Sequence, residues 1–345
     1  MANRGYSNEA VYTRTMPSVQ HIRLAYNNVY LLDSGAGSVL IDTGPDYRDA
    51  WEAMQAELVS APEAIVATHG HYDHAGLGAR WQRAGVPVAM GAADASLPSE
   101  PPLASAAELS DFEAYIEASG APESVARDVI AGLRAWASDV RRVWSADQPY
   151  GEATRSGHWP TALRYEPFAP AHRISAREEQ LAGARVIACP GHTPGNLVVV
   201  CEAEGWLFSG DQLLPGLTPT PAIQPARPRC EHEWRFRSLP AFVESLKLLA
   251  RIPFSRCYPG HGEPFDNVAE TIRTNLSTIE ERGERVMAAI AEVGEGTVYA
   301  IAEGIYPRAL QRRFWQIIPT IQGNLDLLEA EGRVVVDGGV YGVGR

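Results

Sequence analysis

The stretch THGHYDHAG, residues 68–76, places His69, His71, Asp73 and His74 within six residues of a 345-residue chain that has only nine histidines. It follows the apolar run AIVA, which is predicted to be a buried strand, so the cluster lies on a loop at the end of that strand. Imidazole and carboxylate groups are ligands for zinc, iron and manganese. Residues two apart in an extended loop point the same way, so His69 and His71 can bind one ion while Asp73 and His74 turn towards a second.

Three further turns carry one ligand-type side chain each, and each turn follows an apolar run. His192 lies in PGHTPGN, Asp211 in FSGDQLL and His261 in YPGHGEP. Glycines flank these side chains and allow the backbone to pass close to a crowded site. A single histidine in a turn is usually only a polar turn residue. Three such turns at strand ends, in the same chain as the first cluster, instead predict one shared metal site.

The remaining pattern predicts an α/β fold with two additions. Short apolar runs and helical patterns alternate up to about residue 98 and resume after residue 165. Residues from about 99 to 165 have helical periodicity and are interpreted as a helical insertion, with a stripe expected to pack that comprises Val125, Val129, Leu133, Trp136 and Val140. Residues 267–345 show three helical patterns and then a hairpin pattern, which is typical of a winged helix.

The four motifs THGHYDH, GHTPGN, SGDQLL and PGHGEP, together with IDTG at residues 41–44, resemble the metallo-β-lactamase superfamily. The resemblance covers roughly residues 19–264. It implies a four-layer αβ/βα sandwich with two metals at the edge between its sheets. The expected organisation is a catalytic domain at 19–266 that contains the insertion, and a C-terminal winged-helix-like domain at 267–345. The C-terminal pattern is similar to that of the glyoxalase-II-like branch, which includes β-lactamase-like protein 2.

The resemblance also implies a role for each ligand-type residue. Two divalent ions are expected, with zinc favoured and iron or manganese as alternatives. One ion would be held by His69, His71 and His192, the other by Asp73, His74 and His261, with Asp211 bridging the two. Asp42 of IDTG would steady the ligand loop through hydrogen bonds. Asp73 would also be catalytic, because it is placed to orient the nucleophile and to accept or pass on its proton.

Metal-assisted hydrolysis is the reaction class that these expectations support. A bound zinc ion lowers the pKa of water from about 15.7 to about 7, so hydroxide is available at neutral pH. The function expected is hydrolysis of a small acyl compound, that is, an ester, a thioester or a lactone. A metal-dependent nuclease or phosphodiesterase is the first alternative, because winged helices often bind nucleic acid. A mononuclear iron persulfide dioxygenase is the second.

Charge and composition bear on the partners and the location. A net charge of −12 disfavours polyanion binding, and acidic residues surround Arg308, Arg312 and Arg313 in the C-terminal segment. That segment is therefore interpreted as a packing or homodimer-forming element, and a small molecule is the expected partner. The chain has four cysteines without a C-x-x-C pair, no secretory signal and no apolar run of membrane-spanning length, so a cytoplasmic enzyme is expected.

Two segments are candidates for lining the substrate pocket. One is LLPGLTPTPAIQPARPR at residues 213–229, where five prolines stiffen the loop after Asp211. The other is the helical insertion, with Trp136, Trp144 and Trp159.

Overall fold

A computed structural model describes residues 16–100, 103, 105–143, 165–219, 222–227 and 233–344. Trp144 and Trp159, which the sequence suggested as pocket-lining residues, lie outside these ranges. The first sheet has the strand order β1–β2–β3–β4–β5–β6. Its strands are β1 (Ser18–Leu24), β2 (Asn27–Asp33), β3 (Ser38–Ile41), β4 (Ala64–Ala67), β5 (Val88–Gly91) and β6 (His172–Ile174). Strands β1 to β3 pair antiparallel, whereas β3 to β6 pair parallel.

The second sheet has the order β11–β10–β9–β8–β7. Its strands are β7 (Glu178–Leu181), β8 (Ala184–Ala188), β9 (Leu197–Cys201), β10 (Trp206–Gly210) and β11 (Arg256–Pro259). Among the described strands of this sheet, only β10 and β11 pair parallel. The strands that precede His69, Asp211 and His261 therefore come from both sheets, with β4 in the first and β10 and β11 in the second.

The helices lie between and after these strands. They are α1 (Ala50–Glu57), α2 (Tyr72–Ala75), α3 (Gly78–Arg83), α4 (Ala106–Ala118), α5 (Glu123–Val143), α6 (Ser238–Leu249), α7 (Val268–Val293), α8 (Val298–Ile305) and α9 (Phe314–Ala330). A hairpin of β12 (Val334–Asp337) and β13 (Val340–Val343) follows α9. No helix within the described ranges is long and apolar enough to cross a membrane.

Alternation of side chains across the first sheet gives it two buried faces. Leu31, Leu40 and Ile65 point outward and pack with Met54 of α1 and Trp81 of α3. The opposite face meets the second sheet in a separate core that includes Tyr30, Leu32, Val39, Val66, Val186, Val199 and Phe208.

The outer face of the second sheet is covered by α6 and α7. Val198 and Val200 of β9 and Leu207 of β10 share a core with Phe242 of α6 and Ile272 of α7. Because helices lie on both outer faces of two facing sheets, the predicted four-layer αβ/βα sandwich is confirmed.

The insertion and the C-terminal segment build one common core. Phe112 and Ile116 of α4 and Leu133 of α5 lie in the same cluster as Ile290 of α7 and Ile318 of α9. The predicted order of helices and hairpin is present, but a winged-helix domain is not confirmed, because the apolar faces of these helices are completed by α4 and α5. The boundary at residue 267 stays a prediction.

The stripe predicted on α5 packs only in part. Leu133 is buried, and Val125 and Val129 pack at the edge of the common core. Trp136, by contrast, is 50% exposed. Its position on the stripe predicted packing, whereas the structure places it in the wall of an open cavity.

Candidate metal centre

The first ligand group joins the loop after β4 to the loop between β8 and β9. Nδ1 of His69 lies 3.1 Å from the Thr68 hydroxyl, which leaves Nε2 of His69 to face His71 Nδ1 at 2.9 Å. His192 Nε2 lies 3.2 Å from the same Nδ1 of His71. The three side chains each offer a nitrogen, and these nitrogens lie within 4.8 Å of one another. Three imidazoles facing one point are a set of ligands for a divalent ion.

The second ligand group lies beside the first and joins α2 to the loop after β11. Asp73 Oδ2 is 3.6 Å from His74 Nε2 and 3.4 Å from His261 Nε2, and these two nitrogens are 3.3 Å apart. Asn27 donates a hydrogen bond of 3.2 Å to the same carboxylate oxygen. The group therefore offers one carboxylate and two imidazoles.

Asp211 lies between the two groups. Its Oδ1 is 3.5 Å from His74 Nε2, and its Oδ2 is 3.5 Å from both His192 Nε2 and His261 Nε2. Oδ1 is buried and has no hydrogen-bond donor among the described residues. A buried carboxylate oxygen without a donor is costly unless a cation pairs with it. The donor set therefore fits divalent metal, and all seven side chains that the resemblance implied as ligands lie together.

Two histidines of the first group are in the neutral form that binds metal. Burial lowers the pKa of His69 well below its ordinary value, and the neighbouring imidazoles add to the effect. Burial also lowers the pKa of His192 to about 4. Both rings are therefore neutral at physiological pH, which is the form that binds metal.

The second group carries an excess of negative charge. Burial disfavours the ionised carboxylates, but His74 and His261 outweigh it and hold the pKa of both Asp73 and Asp211 below the usual range. Although burial opposes it, the surrounding carboxylates raise the pKa of His74 well above 6.5. The pKa of His261 rises in the same way to about 10. This part of the site attracts positive charge, whether as protons or as a cation.

Asp42, at the end of β3, holds the ligand loops in place. Its Oδ1 accepts a 2.7 Å hydrogen bond from the Thr68 N–H, and its Oδ2 accepts from the Thr68 hydroxyl at 3.1 Å. Oδ2 also lies 2.7 Å from Nδ1 of His74. These contacts agree with the supporting role that the sequence suggested for Asp42.

Asp94 is a buried carboxylate that sequence reasoning missed. It accepts hydrogen bonds from Gly70 N at 3.0 Å, Thr193 Oγ1 at 2.6 Å and Gly195 N at 2.7 Å. It thereby ties the loop of His69 and His71 to the loop of His192. In the sequence, its position just after β5 could have indicated a role at the site, because polar residues that follow parallel strands meet at one edge of the sheet.

The loop of His261 rests on the turn between β1 and β2. His261 Nδ1 lies 3.0 Å from the carbonyl oxygen of Tyr26, so Nε2 is left facing the ligand groups. Asn28 donates to the carbonyl oxygens of Pro259 and Gly262 at 2.9 and 2.7 Å. No local pattern singles out this turn in the sequence, because its contacts are with a segment more than 200 residues away.

Close backbone approach explains one glycine of the PGHGEP motif. A Cβ added to Gly260 would lie 2.7 Å from both Asp211 Oδ1 and His74 Cε1. Any side chain at this position would therefore push into the ligand cluster.

A cavity of about 800 Å³ opens beside the ligands. His71, Tyr72 and Asp73 lie on its wall, and the rest of the lining is largely apolar. It is contributed mainly by α4, α5, α9 and residues 222–227, with Leu97 from the segment after β5. It includes Phe112, Leu133, Trp136, Ile223 and Trp315. Both segments that the sequence proposed as pocket walls are thus present in the lining.

Comparison with known sequences places the chain in a family. The profile of the metallo-beta-lactamase superfamily matches residues 22–261. The probable metallo-hydrolase YqjP of Bacillus subtilis is 25% identical over 317 residues, or 88% of each chain. A beta-lactamase-like protein 2 homolog of Drosophila melanogaster is 23% identical, covering 90% of this chain and 84% of its own. The thioesterase pkgB of Emericella nidulans is 27% identical over 43% of this chain and 41% of its own.

Solved structures show the same fold. A metallo-beta-lactamase family protein from Thermus thermophilus superposes with a TM-score of 0.63 at 22% identity, covering 95% of this chain and 98% of the other. The residues matched by the family profile include every member of the two ligand groups and Asp211 between them. The chain therefore belongs to the metallo-beta-lactamase superfamily and is an enzyme, a hydrolase.

Proposed function

We propose that the protein is a dinuclear metal-dependent hydrolase of an acyl compound, that is, an ester, a thioester or a lactone. The observation that carries the proposal is the convergence of two ligand groups and one shared carboxylate at the wall of an apolar cavity. In the proposal, His69, His71 and His192 hold one ion, and Asp73, His74 and His261 hold the other. Asp211 lies between them, and zinc is the favoured metal.

Two bound divalent ions supply hydroxide at neutral pH and polarise a carbonyl group. The protein's own part is to place the reacting groups. Asp73 stays ionised because His74 and His261 hold its pKa low despite its burial. Its Oδ2 is fixed by the hydrogen bond from Asn27 and faces the space between the ligands. The carboxylate is thereby placed to orient a water molecule and to accept its proton.

The cavity supports an acyl substrate over a phosphodiester. Phosphate recognition needs clustered Lys and Arg side chains. Among the described lining residues, Arg227 is the only Lys or Arg, and it is paired at 2.7 Å with Glu108. Relatives at low identity include thioesterases such as pkgB, and these also favour an acyl substrate. A small molecule is thus the proposed partner rather than a nucleic acid.

Metal analysis of the purified protein, with a substrate panel, tests this proposal. We expect about two equivalents of metal per chain and turnover of a thioester, ester or lactone that is lost on chelation. His71→Ala should abolish turnover, whereas His172→Ala, which removes an exposed histidine paired with Glu179, should keep it. Hydrolysis of a phosphodiester alone, or turnover that survives His71→Ala, would contradict the proposal.

A further inference from the structure

The cavity wall opposite the ligands is made by parts of the chain outside the two sheets. Phe112 comes from α4, Leu133 and Trp136 from α5, and Trp315 from α9. The same helices form the common core of the insertion and the C-terminal segment. The wall is therefore one packed unit, and its inner surface faces His71 and Asp73 across the cavity.

Two tryptophans in this wall expose apolar surface. Trp136 is 50% exposed and Trp315 is 37% exposed. The ring centroid of Trp315 lies 6.4 Å from that of Phe112, so these two rings adjoin. Apolar surface that stays in water forgoes the stabilisation that burial would give. A ligand with an apolar body would regain it.

Gly132 leaves room in front of this surface. It lies inside α5 and lines the cavity. A Cβ added there meets no described atom within 4 Å, and its φ is not in the left-handed region. Glycine inside a helix is destabilising relative to alanine. Neither the backbone conformation nor the packing of the described residues requires glycine at this position. The absence of a side chain does, however, leave part of the cavity open.

We propose that the cavity binds the body of a bulky apolar acyl group, which lies along Gly132 and against Trp136 and Trp315 while its carbonyl lies at the metal ligands. The inference rests on the proposed function and names its substrate class. A cavity of about 800 Å³ is in the upper part of the range, about 300–1,000 Å³, that holds drug-sized ligands. Medium-chain or fused-ring acyl groups fit this space, whereas an acetyl group leaves most of it empty.

The reaction on such a substrate is a simple hydrolysis. In a thioester, the bond between the acyl carbon and sulfur breaks and a bond from that carbon to the oxygen of water forms. The water proton goes to the thiolate, and the products are a carboxylic acid and a thiol. No oxidant or further co-reactant is needed.

The test uses the metal-loaded protein and a series of N-acetylcysteamine thioesters with acetyl, hexanoyl, decanoyl and naphthoyl groups. We expect kcat/KM for decanoyl to exceed that for acetyl by at least about tenfold. Gly132→Phe fills the cavity and should lower this decanoyl-to-acetyl ratio by about tenfold or more.

Gly304→Phe is the matched control. Gly304 also lies in a helix, α8, with no described atom within 4 Å of an added Cβ, but it does not line the cavity. It should keep the wild-type ratio. A wild-type decanoyl-to-acetyl ratio near one, or an equal decrease of this ratio in both variants, would overturn the inference.

A binding measurement separates this inference from the proposed function. If no ester, thioester or lactone is hydrolysed, the proposed function fails, and tryptophan fluorescence then reports binding of decanoate and acetate to the same three proteins. Decanoate binding that is selective over acetate and is weakened about tenfold or more by Gly132→Phe alone supports the pocket. Equal binding of both acids, or binding unaffected by Gly132→Phe, refutes it.

Discussion

Oδ2 of Asp42 lies 2.7 Å from Nδ1 of His74, and both side chains are almost wholly buried. Because a carboxylate only accepts hydrogen bonds, Nδ1 of His74 carries the hydrogen and Nε2 is left as the ligand atom. The same carboxylate holds the Thr68 N–H just before His69. One residue at the end of β3 therefore fixes ligand atoms in both groups.

Asp42→Asn should weaken metal binding by about 10- to 100-fold. Asparagine tolerates the positive φ of 63° at this position, so the change mainly removes the charge that orients His74. The measurement is competition with a chelator of known affinity. Asp49→Asn is the control, because Asp49 has a φ of 67° but is exposed and is not among the ligand contacts. An equal affinity in the two variants would argue against the orienting role.

Asp94→Asn should destabilise the protein by about 1–3 kcal/mol and loosen the first ligand group. The amide has only one oxygen, so at least one of the donors from Gly70, Thr193 and Gly195 loses its acceptor. Urea unfolding measures the stability, and metal stoichiometry measures the site. Asp128→Asn, on the exposed side of α5, controls for the loss of an acidic group. Unchanged stability and stoichiometry in Asp94→Asn would count against the bridge.

The ligand cluster could be predicted because each turn carries its own local signal. Asp211 and His261 are each flanked by glycine at the end of an apolar run, and the order of these turns resembles one family. Asp94 also follows a strand, but its role depends on Thr193 and Gly195, which lie about 100 residues later. The same holds for the role of Trp136. Its helical spacing indicates an apolar face, but only the position of α9 decides whether that face meets protein or cavity.

The two ligand groups should bind metal over different pH ranges. His192 has a pKa of about 4 because of its burial, so it is already neutral at physiological pH. Burial opposes protonation of His261, but hydrogen bonds to Asp211 and Asp73 raise its pKa from 6.5 to about 10. A cation must displace a proton from His261, so affinity at the second group should rise with pH up to about 10. Without metal, the stabilisation from this raised pKa is complete below about pH 6.5 and is lost as pH rises towards about 10.

Equilibrium dialysis at a series of pH values, followed by metal analysis, measures this difference. One equivalent should remain bound at about pH 6 and the second should be gained as the pH rises. His261→Ala should remove the equivalent that depends on pH and retain the other. Loss of both equivalents over one pH range would show that the groups do not differ in protonation.

Gly260→Ala should disrupt the bridge between the groups. The new methyl group would lie 2.7 Å from Asp211 Oδ1, closer than a side-chain carbon can approach without movement. We expect kcat to fall by about 100-fold, because a misplacement of about 1 Å at reacting groups costs that much in rate. Gly304→Ala, which adds the same methyl group in open space, should leave kcat at the wild-type value. Similar kcat values for both variants would mean that the loop of Gly260 moves to accommodate the methyl group without loss of activity.

Arg235 anchors the segment next to the cavity wall to α9. Its Nη2 donates to Asp326 Oδ1 at 2.7 Å, and the Asp326 side chain is only 2% exposed. The adjacent Trp234 packs edge-on against Phe112 of the wall, with ring centroids 5.3 Å apart. The ion pair therefore supports both the fold and the shape of the cavity.

Arg235→Ala should lower the free energy of unfolding by about 3–5 kcal/mol, because it leaves a buried carboxylate without its cation. Arg333→Ala provides the comparison. Arg333 pairs with Glu284 at the same 2.7 Å, but the two side chains are 38% and 59% exposed, so its loss should cost only about 0–1 kcal/mol. Urea unfolding of both variants gives the difference directly. If the costs were equal, burial would not be what makes the Arg235 pair stabilising, and water would have to reach Asp326 once the arginine is gone.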